Sequence, residues 1–234
     1  SRTGGDIIQF DLPAHSFLAP SSLVLRGLIQ ITPASTNADA VDIKMVGVPG
    51  ASWIQRVETI VGGSLLESVN DYGRLYSMLS QTNIDYATKA GLAVELGLCS
   101  TTGATRSGLN PLDPDFTNLN GRAGPNAGGG NDGVAGEFPF AIPLGCLLSS
   151  CSELIPLSHM GGVRIQLTTD QIANFIYNTG TGGNLPTIRY SQLELNFDLV
   201  DFGPAMDGVV RSMANADGDL VLKSQGWNVS NVNL

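Results

Sequence analysis

Two histidines, His15 and His159, are the only imidazole groups that could serve as metal ligands or general bases. Neither has another His or a Cys within a few positions, whereas a metal centre needs several such ligands to converge. Ser158 is adjacent to His159 in sequence, which is not the arrangement of a nucleophile facing its base, and no G-x-S-x-G elbow occurs. We therefore expect packing or surface roles for both histidines, no catalytic residue and no enzymatic activity.

Asp113-Pro114-Asp115 has the opening spacing of a calcium loop. The third ligand position is Thr117, however, and no Glu stands at the twelfth position. Asp and Pro also build ordinary turns. The sequence favours a turn and no metal site, and it leaves open a cation held by Asp113 and Asp115.

A glycine-rich run, Gly128–Gly133, has the composition of a phosphate-binding loop without its context. No Lys-Ser or Lys-Thr pair follows, and the run does not join a clear strand to a helix. The three residues Asn228-Val229-Ser230 form a glycosylation sequon by letter only. We expect no cofactor.

The chain has three cysteines, Cys99, Cys146 and Cys151, and this odd number cannot pair completely within one chain. No C-x-x-C or Cys/His spacing suggests zinc. These residues are predicted to be small apolar core residues of a protein made in a reducing compartment.

Charge and length limit the classes of function. A net charge of −9 argues against direct nucleic-acid binding, which depends on Lys and Arg neutralising phosphates. Charged residues make up 14% of the chain against about 25% in typical soluble domains, so much of the surface is expected to be buried against a partner. No apolar run is long enough for a membrane-spanning helix, and no signal-peptide pattern begins at Ser1.

The stretch Glu137–Thr169 contains two apolar runs, Phe138–Leu148 and Val163–Leu167, joined by Ser149–Gly162. Three prolines in this stretch exclude a long regular helix, because each lacks a backbone donor. The run that begins at Val163 alternates apolar and polar residues, which predicts a strand with one face in a core. The pattern is typical of an antiparallel β-sandwich.

The rest of the chain repeats this pattern. Gly62-Gly63 predicts a tight hairpin turn between two strands, because glycine accepts positive φ. A register change is expected near Ser191-Gln192 in the last strand. The predicted strands are Asp6–Leu12, Leu23–Thr32 with Arg26 and Gln30 on its wetter face, Val41–Val48, Trp53–Val61, Ser64–Val69 and Thr187–Phe202.

Short helices are predicted in the loops. Asn70–Met78 has apolar residues at helical spacing, with a capping Asn or Asp at its start. Ile84–Leu98 is either a second helical piece or irregular, and Asp170–Tyr177 is expected to form one or two helical turns. The fold class is therefore all-β: an antiparallel jelly-roll β-sandwich of about eight strands with short helices in its loops.

The predicted domain organisation has two parts. Residues 1–203 form the sandwich, with a long glycine-rich insertion at about 99–136. Residues 204–234 form a linker, which starts as a short helix at Pro204–Met213, and then either the first strands of a second jelly roll or a C-terminal arm. The expected strands of this part are Asp219–Lys223 and Trp227–Leu234.

Three stretches resemble a known family. SWIQRVETIVGGSLLESVNDYGRLYSML (Ser52–Leu79) resembles the hairpin and helix, and FPFAIPLGCLLSSCSELIPLSHMGGVRIQLT (Phe138–Thr168) the later strands, of the first jelly roll in major capsid proteins of the double jelly-roll viral lineage. Gln192–Asp201, followed by Pro204–Asp207, resembles the exit of that roll into the linker. Together these stretches cover about half of the chain.

The resemblance implies a structural virion protein, made inside the host cell, that forms an icosahedral capsid shell. Its partners would be copies of itself, in homotrimers that form pseudo-hexameric capsomers, then neighbouring capsomers and minor capsid or vertex proteins. Two full rolls need more than 234 residues. Either a second roll is missing from this chain, or the protein is a single jelly-roll relative.

The competing hypothesis is a carbohydrate-binding or receptor-binding β-sandwich module. Sugar stacking needs exposed aromatic rings, and only Trp53 and Trp227 are available as tryptophans. Trp53 lies in a predicted apolar strand, so the sequence favours the capsid role.

Overall fold

The computed structural model describes residues 5–32, 43–45, 47–83, 136–178, 185, 187–203, 205–206, 208–210, 212 and 222–226. The insertion predicted at Cys99–Gly136 lies outside these residues, apart from Gly136, and with it lie Cys99, the Asp113/Asp115 pair and Gly128–Gly133. The predicted segments Ile84–Leu98 and Trp227–Leu234 also lie outside them. These predictions therefore stay predictions.

Twelve strands occur in the described part of the chain. They are β1 (Ile7–Leu12), β2 (Phe17–Leu18), β3 (Val24–Thr32), β4 (Ile43–Met45), β5 (Ile54–Val61), β6 (Ser64–Asn70), β7 (Gly136–Pro143), β8 (Ile155–Pro156), β9 (Val163–Thr169), β10 (Ile176–Asn178), β11 (Thr187–Asn196) and β12 (Leu199–Val200). Helices with described ends are α1 (Pro49–Ser52), α2 (Tyr72–Asn83) and α3 (Ile172–Phe175). None of the helices described here is long and apolar enough to span a membrane.

Two larger sheets make up the sandwich. One has the strand order β1-β9-β5-β6 and the other the order β11-β3-β7, with every pair antiparallel. Two smaller antiparallel sheets, β10-β4 and β12-β2-β8, accompany them. Neighbouring strands are mostly distant in sequence, as β1 and β9 are, which is the connectivity of Greek-key and jelly-roll folds. The predicted antiparallel jelly-roll β-sandwich is confirmed.

The apolar residues of both sheets meet in one core. Val57 and Ile165 of the first sheet and Leu25, Ile29 and Ile142 of the second are fully buried members of a single cluster. Their neighbours along each strand point outward, as the two-residue period of a strand requires. The alternation in the sequence therefore identified the core faces of these strands.

Trp53 is not the first residue of a strand, and that prediction was wrong. Pro49, expected to end a strand, instead begins α1, since proline suits the first turn of a helix. Trp53 follows α1 and is fully buried, and its Nε1–H donates to the carbonyl of Gly50 at 2.8 Å. Its ring stacks on Tyr190 at 4.5 Å and meets the ring of Phe140 edge-on at 6.2 Å. Trp53 therefore links the entry of the first sheet to two strands of the second.

The predicted hairpin is confirmed. β5 and β6 pair on either side of Gly62 and Gly63, which have φ values of 56° and 81°. A register shift between Thr59 and Ile60 leaves Leu66 as an extra residue on β6, which is a bulge next to the turn. The predicted helix is also present, as α2, and it ends later than Met78.

The segment predicted as one strand, Thr187–Phe202, contains two strands in different sheets. β11 pairs with β3, whereas β12 pairs with β2. The register change is confirmed: pairing shifts between Ser191 and Glu194, and Gln192 has a φ of 52°. An added Cβ on Gly27, which lies opposite the bulge, would be 2.7 Å from Leu193. Glycine therefore leaves the space that the bulged strand fills.

The helical turn predicted within Asp170–Tyr177 is present as α3, and the chain then continues directly into β10. Two further predictions need correction. Leu222 and Lys223, the described end of the predicted strand Asp219–Lys223, are not in a strand. The structure divides the predicted eight strands into more and shorter ones, because two-residue strands such as β2 and β8 have no periodicity that a sequence could show.

We expect replacement of both Gly62 and Gly63 by Val to destabilise the protein by about 2 kcal/mol or more, because each positive φ costs a residue with a Cβ about 1 kcal/mol. Urea unfolding followed by tryptophan fluorescence measures this change. Ser64→Val, at the exposed start of β6, is the matched control and should leave the midpoint nearly unchanged. An unchanged midpoint in the double variant would contradict the turn assignment.

Candidate functional site

The two histidines occupy different settings. His15 is exposed, whereas His159 is partly buried beside the exposed Ser158. The Ser158 hydroxyl lies 2.8 Å from His159 Nδ1, and Nε2 of the same ring is buried without a hydrogen-bond partner in the described structure. Within the described ranges, no group of three or more His, Cys, Asp or Glu side chains could hold a metal ion.

A cavity of about 250 Å³ opens at the start of α2. Its rim brings Asp71 and Arg74 of one segment to Asp170 and Asn174 of another, and Ile54 and Phe175 are among its apolar residues. The carboxylate of Asp170 accepts hydrogen bonds from the backbone N–H of Gln171 at 2.7 Å and from Asn174 Nδ2 at 2.6 Å. It thereby holds α3 in place. The sequence separates the two aspartates by about a hundred residues and gave no signal of this cavity.

A shallower concavity of about 450 Å³ lies over β3, β7 and β11. Leu28 and Pro139 contribute apolar surface, and Arg26 and Glu194 form an ion pair across β3 and β11 with an Nη2–Oε2 distance of 2.5 Å. Both side chains are more than half exposed, so the pair contributes about 0–1 kcal/mol to stability. The prediction that Arg26 lies on the wetter face is confirmed.

Among the exposed large apolar side chains, two groups lie close together in sequence, and the others, Ile7, Met78, Leu154 and Leu185, are exposed singly. The hairpin leucines, Leu65 and Leu66, follow the Gly62-Gly63 turn. The exit stripe, Phe202, Met206 and Val209, leaves β12 at spacings of four and three residues. The described residues from 205 to 212 are helical, and this spacing places Met206 and Val209 on one side of a helix. The short helix predicted at Pro204–Met213 is therefore confirmed for its described residues, whereas the exposed stripe was not predicted.

Buried hydroxyl and thiol groups of the core stay protonated. Burial, followed by the charges of Tyr76 and Cys146, raises the pKa of Tyr72 well above its ordinary value. Burial raises the pKa of Tyr76 to about 12. Burial, followed by the charge of Asp170, raises the pKa of Tyr190 well above its ordinary value. These groups are therefore uncharged near neutral pH. The Tyr72 hydroxyl accepts the backbone N–H of Gly145, whereas the Tyr190 hydroxyl has no hydrogen-bond partner in the described structure.

Comparison with known proteins gives structural likenesses only. No protein-family model matches the chain, and no curated protein matches it. The chain is similar to the crystal structure of the mavirus major capsid protein, with 13% identity and a TM-score of 0.43 over 88% of this chain and 45% of that one. The STIV major capsid protein is 14% identical with a TM-score of 0.43, over 92% of this chain and 50% of that one. A protein in the structure of the Sputnik virophage, solved by electron cryo-microscopy, is 10% identical with a TM-score of 0.42, over 83% of this chain and 47% of that one.

The chain thus spans about half the length of each of these structures.

Cys146 provides a test of the described core. Its thiol is buried, and burial raises its pKa, so little thiolate forms at pH 8 and access is blocked. We expect iodoacetamide to leave Cys146 unmodified in the native protein and to modify it in 8 M urea, as peptide mass spectrometry would show. Equal modification rates in both states would contradict the core assignment.

Proposed function

We propose that the protein is a structural subunit of a virion capsid, built to associate with copies of itself. The observation that carries the proposal is the presence of two separate apolar surfaces, the hairpin leucines and the exit stripe, on a sandwich that already has its own core. Leu65 is 56% and Leu66 52% exposed. Association removes such surfaces from water, at about 25 cal/mol per Å² of apolar area.

Two different patches suit a closed ring. Rings of identical subunits form when one surface of each copy contacts a different surface of the next, whereas a two-fold dimer needs only one self-complementary patch. The hairpin leucines and the exit stripe lie on separate elements and could serve as the two sides of such a contact. This arrangement supports the homotrimer, which would then form pseudo-hexameric capsomers.

The sequence resemblance supports the same role. It names major capsid proteins of the double jelly-roll lineage, so the further partners proposed are neighbouring capsomers and minor capsid or vertex proteins, in an icosahedral virion. A net charge of −9 supports a shell protein that makes no direct contact with nucleic acid. We retain the division into a sandwich over 1–203 and a linker with further strands or an arm over 204–234.

One of the two tryptophans that a carbohydrate-binding module would need on its surface is buried. Trp53 is fully buried against Tyr190 and Phe140 and cannot stack on a sugar. Among the described residues, no observation favours that alternative.

Analytical ultracentrifugation tests the proposal. The protein at tens of micromolar should sediment as a trimer, and Leu65→Asp/Leu66→Asp should sediment as a monomer with an unchanged circular dichroism spectrum, because charges in an apolar interface oppose association.

Met78→Asp is the matched control for this experiment. Met78 is 66% exposed on α2 and belongs to neither patch, so the substitution should leave the trimer intact. A stable monomer of the unmodified protein at this concentration would count against self-assembly. Trimers that persist in the double Asp variant would remove the hairpin leucines from the contact.

A further inference from the structure

Residues 222–226, termed the strap, lie across a turn formed by residues 146–151, termed the dock. The hydroxyl oxygen of Ser150 accepts a hydrogen bond from the backbone N–H of Gln225 at 2.9 Å. The same hydroxyl lies 2.5 Å from the carbonyl oxygen of Gln225. One side chain of the dock therefore contacts both backbone polar groups of a single residue of the strap, 75 residues away in sequence.

Alternate residues of the strap make the contacts with the dock and the core beside it. Leu222 packs against the core, and the Ser224 side chain hydrogen-bonds to Cys151. A Cβ on Gly226 would lie 3.3 Å from Glu67 Oε1, which is tighter than most Cβ contacts, and 3.4 Å from Leu147 Cδ1, which is at the edge of ordinary contact. Lys223, Ser224, Gln225 and Gly226 are all exposed, so the dock covers only one side of the strap. The described contacts of the strap with its surroundings fall at alternate positions, Leu222, Ser224 and Gly226.

The backbone of the dock is satisfied by groups outside the strap. Leu147 N–H donates to Glu67 Oε2 at 2.5 Å, and the N–H of Gly145, the residue just before the dock, donates to the Tyr72 hydroxyl at 2.8 Å. Within the turn, Cys146 N–H donates to the Ser149 hydroxyl at 2.9 Å. Because Glu67 and Tyr72 are themselves buried parts of β6 and α2, the shape of the turn does not depend on residues 222–226.

Ser150 also has a second acceptor available. Its hydroxyl lies 2.9 Å from the carbonyl of Leu147 and 2.5 Å from that of Gln225, and a hydroxyl has one proton to donate. If the strap left the dock, the Ser150 hydroxyl would still donate a hydrogen bond to the carbonyl of Leu147. An empty dock would therefore hold no unsatisfied donor at this position, so no desolvation penalty would keep the strap in place.

We propose that the dock is a preformed binding site for an extended peptide of the pattern Leu-x-Ser-x-Gly, and that the chain's own strap occupies it reversibly. A peptide with the sequence of the strap, added from outside, then competes with the strap for the same site. The proposal concerns the single subunit and holds whether or not the subunits assemble.

Tryptic cleavage after Lys223 measures how often the strap leaves the dock. Gly226→Val should speed this cleavage about tenfold or more, because overpacking against Glu67 and Leu147 weakens docking and cleavage follows the open population. Gln225→Ala, which changes an exposed side chain and keeps the backbone bonds, should cleave at the unmodified rate. Leu222→Ser is a second variant expected to speed cleavage, and equal rates in all four proteins would overturn the proposal.

Peptide binding tests the site directly. A fluorescein-labelled peptide with the sequence of residues 220–226 and blocked ends should bind the full-length Gly226→Val protein, as read by fluorescence polarisation. It should bind the unmodified protein about tenfold more weakly, since the attached strap competes at high effective concentration. The same peptide with Val in place of its Gly should not bind. Absence of binding to the Gly226→Val protein, or equal binding of both peptides, would contradict a site that reads the glycine.

Discussion

The packing of Trp53 against Tyr190 and Phe140 is the contact on which the rest of the sandwich depends. Trp53 stands where α1 passes into β5, and its partners lie on β11 and β7 of the opposite sheet. Its carbonyl also accepts the N–H of Asp170, which follows β9. Four strands from both sheets are thus fixed relative to one fully buried residue, through its side chain and its backbone carbonyl. Large aromatic rings contribute more buried area than other residues, and their offset or edge contacts add to it.

A second set of buried contacts is polar and holds the crossover between the sheets. Glu67 and Tyr72 accept backbone N–H groups of the turn after β7, where an unpaired buried donor would cost about 1–3 kcal/mol. With its core and its crossover completed internally, the sandwich presents the hairpin leucines and the exit stripe as a formed surface. A repeated structural subunit needs a surface of this kind, because each copy must offer the same contacts.

Sequence reasoning predicted the parts of the fold that local chemistry decides. Gly62-Gly63 implied positive φ, the alternation from Val163 implied a core-facing strand, and the register change near Gln192 was confirmed. It missed what depends on distant partners. Nothing near Trp53 shows that Tyr190 will cover it, nothing in Thr187–Phe202 marks the switch from β3 to β2 as partner, and Asp71 and Asp170 meet only after folding. The exit stripe was readable as a spacing of four and three residues, but its exposure depends on how the sandwich ends.

The most direct measurement is a double-mutant cycle on Trp53 and Tyr190, with Trp53→Leu, Tyr190→Leu and the double variant unfolded in urea and followed by circular dichroism. If the stacked pair joins the sheets, the two substitutions should be non-additive, with a coupling energy of about 0.5–1.5 kcal/mol. The same cycle on Trp53 and the exposed Leu66 should show additivity, since the two side chains lie in the core and on the surface. Additive losses for Trp53 and Tyr190 would contradict the central role of this contact.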